Sequence, residues 1–420
     1  MTSGLKLSTA AIALLAVAGI GAAPASAADL GGNCCADLEE RIAELEATTA
    51  RKGNRKVSLE IYGQVNEAIG FWDDGLEENT YIFTNDTSRT RFGFKGKAKI
   101  TGDWYAAYRL EIGVRSAGQQ GMSADNITGN SGFDLRHSSW TLGSKTYGDV
   151  TVGQTSFATD GIVQIQTANI GHFSNNDIFD FPSSFVVRGT AGNRTWINLI
   201  QNREPGEGSR GQLIRYDSPA FGGFTGSAHW GEDDIWGLAL RYKGEIGDFK
   251  LAAGIGYGEM SLADEECTAT GTASPRSDLA DCREYGGSAS VMHGPTGLFV
   301  TGAYGVREDE LRAAEGGSED NTHWLVQAGI EQKWFALGKT TVFGGYQHRD
   351  AGRSVSPADT LPLSVRADTE VEMFEVGLNQ QVSAAAMDFY LHYKHYQPEV
   401  AGSPGAEDFQ TLIGGAMIKF

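Results

Sequence analysis

Two stretches of the chain put bases at alternate positions. Arg91, Lys95, Lys97 and Lys99 interleave with Phe92, Phe94, Ala98 and Ile100, and Arg109, Glu111 and Arg115 interleave with Leu110, Ile112 and Val114. In extended chain such side chains share one face. Arg215, on a later stretch of the same kind, is expected to join them. The carboxylates that could answer these bases are Asp160, Asp177 and Asp180, which lie in an irregular segment from 156 to 211. Fixed cations facing fixed anions orient ions and dipoles, and they break no bonds. The plainer alternative is that the bases only solvate a polar face, and that Asp177 and Asp180 are solvated or cap turns.

No constellation for covalent chemistry accompanies them. The chain has no HExxH, no phosphate-binding Walker loop, no GxSxG and no Cys/His cluster at metal spacing. Gly254, Gly256 and Gly258 sit in a glycine-rich strand with no helix after it, so they are not a dinucleotide fingerprint. His392 and His395 fall on opposite faces of one strand and cannot chelate together. These residues predict no enzyme, no cofactor and no metal site. The net charge of −19 argues against a nucleic-acid partner.

The positioning elements begin at the N-terminus. Lys6, the apolar run 10–20 and the small residues Ala25-Ser26-Ala27 read as a secretory signal peptide over 1–27. Residues 28–56 follow as an N-terminal segment, with Leu38, Ile42, Leu45 and Thr49 at coiled-coil spacing in a helix over 36–50. That helix is either a seam joining copies beneath a trimer or a solvated linker. From 57 the period changes to two. Sixteen alternating runs follow, at 57–66, 91–100, 104–115, 135–145, 148–156, 212–218, 223–231, 236–243, 248–258, 285–293, 297–306, 323–334, 339–348, 371–382, 386–396 and 408–420. Each is close to the length that a tilted membrane strand needs. Odd-numbered runs lead into long polar links and even-numbered runs into tight Gly, Pro or Asp turns, which places long loops on one rim and short turns on the other.

The fold class expected is therefore all-β, a transmembrane antiparallel 16-stranded β-barrel over 57–420 with a short N-terminal coiled-coil helix. Closure requires 57–66 to pair with 408–420, because lipid cannot satisfy a free sheet edge. The segment 156–211 is long for a loop and rich in Ile and Phe, so it should fold into the barrel and narrow it. Loop carboxylates would then face the wall bases across the narrowest section. Acidic runs in the other long links, such as 73–78 and 308–310, predict cation enrichment at the mouth, screened beyond about 8 Å at physiological salt, and with it a mild preference of the channel for cations.

Cys267 and Cys282 share one long link, and in an oxidising compartment they should pair, closing a loop of 16 residues worth about 3 kcal/mol. Cys34 and Cys35 are adjacent and do not readily bridge to each other. Pairing between copies and reduction both remain open for them.

The stretch DLEERIAELEATTARKGNRKVSLEIYGQVN at 37–66, the RYDSPAFGGF turn at 215–224, the long third loop and the terminal Phe420 together resemble an alphaproteobacterial outer-membrane porin of the general-diffusion class. The resemblance covers the whole mature chain. It implies a homotrimer of 16-stranded barrels, each with its own pore, seated in outer-membrane lipid and lipopolysaccharide. The implied function is passive diffusion of small hydrophilic solutes and ions. The Ala28-Asp29 start resembles N-termini that link such barrels to peptidoglycan. The third loop departs from the pattern by its length, which leaves the shape of 188–211 open. Two other readings keep the barrel: a substrate-selective channel, or an anchor joining the outer membrane to the cell wall.

Overall fold

The structure, a computed structural model, describes residues 56–174, 181–190, 194–200, 204–231, 235–260, 282–310, 313, 318–352 and 368–420. The signal peptide, the helix expected over 36–50, Cys34, Cys35, Asp177, Asp180 and Cys267 lie outside the described residues.

Among the described residues seventeen strands form one antiparallel sheet. They are β1 (Glu60–Asp73), β2 (Glu78–Thr84), β3 (Arg91–Thr101), β4 (Trp104–Arg115), β5 (Gly132–Ser144), β6 (Gly148–Ser156), β7 (Arg210–Asp217), β8 (Phe224–Gly231), β9 (Trp236–Ile246), β10 (Phe249–Met260), β11 (Cys282–His293), β12 (Leu298–Asp309), β13 (Asp320–Phe335), β14 (Gly338–Asp350), β15 (Thr369–Val382), β16 (Met387–Val400) and β17 (Phe409–Lys419). The sheet closes where β1 meets β17, in register from Gln64 opposite Lys419 to Asp73 opposite Gln410. Sixteen of the strands make the closed barrel, and β2 is an addition to the sixteen expected.

The extra strand corrects the reading of 73–86 as a polar link. β1 runs on to Asp73, and the chain turns straight back: the Asp74 carboxylate accepts from the backbone N–H of Leu76 and of Glu77, and Gly75 takes φ +86°. β2 then pairs with the upper half of β1, from Glu67 opposite Thr84 to Asp73 opposite Glu78. β3 takes the lower half, from Glu60 opposite Lys95 to Gln64 opposite Arg91. The carboxylates of that run therefore build a hairpin, although by composition they look like a solvated loop.

The period of two sorts residues in the direction a lipid-embedded barrel needs. On β1, Ile61, Val65 and Ile69 are exposed on the outside, whereas Gln64 and Asn66 are buried on the inside. A soluble sheet would reverse this. The inside is buried because the described residues of 157–209 fold into it. Phe173, Phe181, Phe185, Trp196 and Leu199 of that segment join Trp72, Phe343, Tyr390 and Phe409 of the wall in one apolar cluster. Phe173 stacks on Tyr390 with ring centroids 4.8 Å apart, and Phe185 meets Trp72 edge-on at 4.7 Å.

The candidate pore wall and the loop that faces it

The infolded segment has two layers. Its first layer, 157–174, runs around the inner wall on strand-borne polar groups. Ala158 N–H donates to His229 Nδ1 (3.0 Å), Ile165 N–H to Ser288 Oγ (3.0 Å), Thr167 N–H to Ser290 Oγ (3.1 Å) and Asn169 N–H to Glu331 Oε2 (2.9 Å). Asn169 Nδ2 donates to Asp388 (2.8 Å), Ser174 Oγ to Glu375 (2.7 Å), and Asn66 Nδ2 to the His172 carbonyl (3.2 Å). The path therefore crosses β8, β11, β13, β15 and β16 and reaches β1. The wall supplies side-chain partners at the points where loop backbone would otherwise be buried without one.

The second layer returns along the same side. Val186 bridges to Thr195, and the short helix α1 (Trp196–Ile200) follows, with the Leu199 carbonyl accepting from Thr369 Oγ1 (2.8 Å). At Gly305 a side chain would collide with the Pro205 carbonyl, so glycine there lets the returning chain lie against β12. The Glu207 carboxylate then accepts from Gly161 N–H and from Val163 N–H (3.2 Å), closing the end of the segment on its beginning. Of the range 188–211, the described residues as far as Ser209 are a second layer of packing, and Arg210 and Gly211 already belong to β7.

The wall of β3, β4 and β5 is left facing open space, and the bases gather there. Lys95 pairs with Glu60 (2.9 Å) with nearly half of its side chain exposed, and the Lys97 ammonium lies 3.2 Å over the Tyr105 ring. Above them Glu111, whose side chain is 1% exposed, is the centre of a cation cluster. Arg109 Nη2 donates to it at 2.6 Å, Arg136 Nε at 2.8 Å and Tyr62 Oη at 2.9 Å, while Arg91 Nη1 stands 3.9 Å away. Arg115 and Arg89 share Asp86 at 2.7 and 3.3 Å, and Arg89 also reaches Asp134 at 2.9 Å. Arg210, at the head of β7, acts electrostatically on both Arg91 and Arg136. Among the described residues six guanidinium groups thus stand against three carboxylates, and Arg109 has 45% of its side chain exposed.

Arg215 and Asp160 sit elsewhere. Arg215 binds Asp217 through two nitrogens and gives Nη1 to the carbonyls of Ser156 (3.1 Å) and Phe157 (2.9 Å), so it holds the root of the infolded segment. Asp160 lies beside that root, its carbonyl accepting from Arg241 Nη2 (2.8 Å), in a recess of about 410 Å3 shared with Asp217, Ser227 and Lys243. Lys99 is on the same face toward the short-turn rim, opposite Tyr105. Cys282 opens β11 and is disulfide-bonded, with its partner outside the described residues.

Several of these residues escape a reading by alternation. Arg136 enters the cluster because the β4–β5 ladder slips between Glu111 and Ile112, so that Arg136 and His137 both point inward. Arg89 and Asp86 belong to the connection between β2 and β3, where no strand pattern applies. Ser288, Ser290, Glu331 and Glu375 were legible as inward positions of regular strands, but nothing local marked them as seats for a distant loop.

The Gram-negative porin family matches residues 9–399. No curated protein is similar to the chain in sequence. Among solved structures, the anion-selective porin from Comamonas acidovorans superposes with TM-score 0.56 at 16% identity, over 87% of this chain and 100% of its own. OprB of Pseudomonas putida gives 0.56 at 12% identity, over 91% and 97%. The trimer form of OmpT from Vibrio cholerae gives 0.53 at 13% identity, over 87% and 99%. At these identities the likeness speaks for the fold.

Proposed function

This chain belongs to the Gram-negative porin family, an integral outer-membrane β-barrel that forms a diffusion channel, and from that premise we propose how it conducts. Small hydrophilic solutes and ions pass between the two-layered insert and the wall of β3, β4 and β5, without chemical change. The single observation that carries this is the asymmetry of the interior: the insert seals the wall from β8 round to β1, and the arginine-bearing wall is left uncovered. Arg91, Arg109, Arg115 and Arg136, with Lys95, Lys97 and Lys99 toward the short-turn rim, then line the route. Glu111 holds three of these arginines in place, and Asp160, Asp177 and Asp180 belong to the constricting segment.

With six guanidinium groups against three carboxylates, this wall favours anions. The acidic links at the mouth act on entering ions from farther away and are screened within about 8 Å at physiological salt. Close to the passing ion the wall charge outweighs them, so the channel prefers anions at its narrowest section. We further propose the alphaproteobacterial general-diffusion class, export by a signal peptide over 1–27, a homotrimer, a Cys267–Cys282 disulfide and a peptidoglycan link through the segment that begins at Ala28. The trimer form of the Vibrio cholerae OmpT structure supports the trimer.

The deciding experiment is a planar-bilayer recording of the purified protein under a KCl gradient. Discrete conductance steps with an anion-favouring reversal potential are expected. A cation-favouring potential overturns the route along the arginine wall, and no conductance overturns the channel reading.

A further inference from the structure

One recess of the lumen holds charges that the fold leaves unanswered. It lies between the root of the insert and the short-turn rim, and its lining includes Asp160, Arg215, Asp217, Ser227, Arg241 and Lys243. Its volume, about 410 Å3, is within the range of small-molecule sites. Two of these charges are fully used by the fold. Arg215 is spent on Asp217 and on the carbonyls of Ser156 and Phe157. Asp217 also accepts from Ser227 Oγ at 2.6 Å.

Three charges are left over. Arg241 Nη2 donates to the backbone carbonyl of Asp160 (2.8 Å), and its buried Nη1 has no partner. The Asp160 carboxylate is half-buried; it acts electrostatically on Arg241 but, among the described residues, it forms no ion pair and accepts no hydrogen bond. Lys243 is exposed, and its ammonium likewise has no ion-pair partner among the described residues. Glu207 also acts on Arg241, but its carboxylate is turned to the N–H groups of Gly161 and Val163. The backbone fixes this arrangement. Gly254 on β10 stands opposite Arg241, and a Cβ there would meet Ile165 and Ile162 of the insert at 2.6 and 2.8 Å. Glycine thus lets the root of the insert lie close against the wall, with Asp160 beside the two bases. Opposite charges are held near one another without pairing, as a site prepared for a ligand requires.

We infer that this recess binds an acidic amino acid, with its ammonium on Asp160 and its two carboxylates on Arg241 and Lys243. One ammonium and two carboxylates answer the one anion and two cations left over, and each contact is a charge-assisted hydrogen bond. The inference rests on the proposed passage of solutes through the lumen. It adds a stopping place beneath the insert, apart from the arginine wall of β3, β4 and β5.

The test titrates three probes into purified full-length protein in detergent, read by saturation-transfer NMR. L-glutamate carries all three charges, glutarate lacks the ammonium, and 4-aminobutyrate lacks one carboxylate. L-glutamate is expected to bind about fivefold more tightly than either of the others, the effect of one partly exposed ion pair. Asp160→Asn should erase the preference over glutarate and keep that over 4-aminobutyrate. Lys243→Gln should do the reverse. The preference each variant keeps shows that its recess is still folded. Equal binding of the three probes by the parent, preferences that survive both substitutions, or no binding at all overturns the site. A bilayer recording of the same preparation without amino acid separates this failure from that of the channel reading. A protein that conducts but does not bind L-glutamate loses the recess alone, and one that does not conduct loses the passage on which the recess depends.

Discussion

Replacing Arg109 by glutamine removes one charge from the wall and little else. Arg109 donates to Glu111 and to Tyr62 Oη, but Glu111 keeps Arg136 at 2.8 Å and Tyr62 at 2.9 Å when it goes. Only the Arg109 end of the lost pair is half exposed; Glu111 is buried but keeps its other two donors, so the loss of stability should be about 1–3 kcal/mol. The lost charge also acts directly on a passing ion. A unit charge at about 4 Å contributes roughly 1 kcal/mol in water, which is a factor of about five in local concentration. Screening weakens this over about 8 Å. Arg109→Gln should therefore lower the anion-to-cation permeability ratio by roughly two- to fivefold. The assay is the reversal potential in a planar bilayer under a KCl gradient. Repeating it near 1 M salt should shrink the difference, since the screening length falls to about 3 Å. An unchanged ratio in a channel that still conducts would refute the reasoning, because the solute route would then avoid this wall.

Four further outcomes follow from the same geometry. Phe173→Ala removes a buried ring stacked on Tyr390 and should weaken seating of the insert by about 3–5 kcal/mol, read as protease cleavage within 157–209 at lower temperature than in the parent. Glu375→Gln loses a carboxylate that accepts from Ser174 at 2.7 Å and Gln327 at 2.6 Å; charged hydrogen bonds of this kind contribute about 1.5–3 kcal/mol, and voltage-induced closure should set in at lower voltage. Asp103, in the turn between β3 and β4, has its carboxyl held down to about 2 by the Ser144 hydroxyl and by Thr146. A lowered folded-state value adds stability above the ordinary value near 4, and that stability is lost as pH falls through about 2. The gap in melting temperature between the parent and Asp103→Asn should accordingly close over that window. Cys267→Ser should leave Cys282 reactive toward a thiol reagent in unreduced protein; a thiol that stays protected would place its partner elsewhere.

What could be read without coordinates is what the backbone enforces residue by residue. Alternation depends only on neighbours in the chain, so the sixteen barrel strands, the inward face of Lys95 and Arg109, and the pairing of the first and last strands were legible. The same logic places Glu111 beside its bases. Position along the chain could not reveal what depends on distant partners. β2 was hidden because DDGLEE has the composition of a solvated loop and becomes a hairpin only when Tyr81 and Phe83 have a core to enter. Arg136 was hidden because a slip in one ladder turns two consecutive residues inward. The sequence by itself determined a closed ring with charge inside and hydrocarbon outside, since a period of two allows no other sorting around a lipid-facing sheet. Only the tertiary structure decided which half of that interior is filled, because the course of 157–209 is set by hydroxyls and carboxylates on strands more than a hundred residues away.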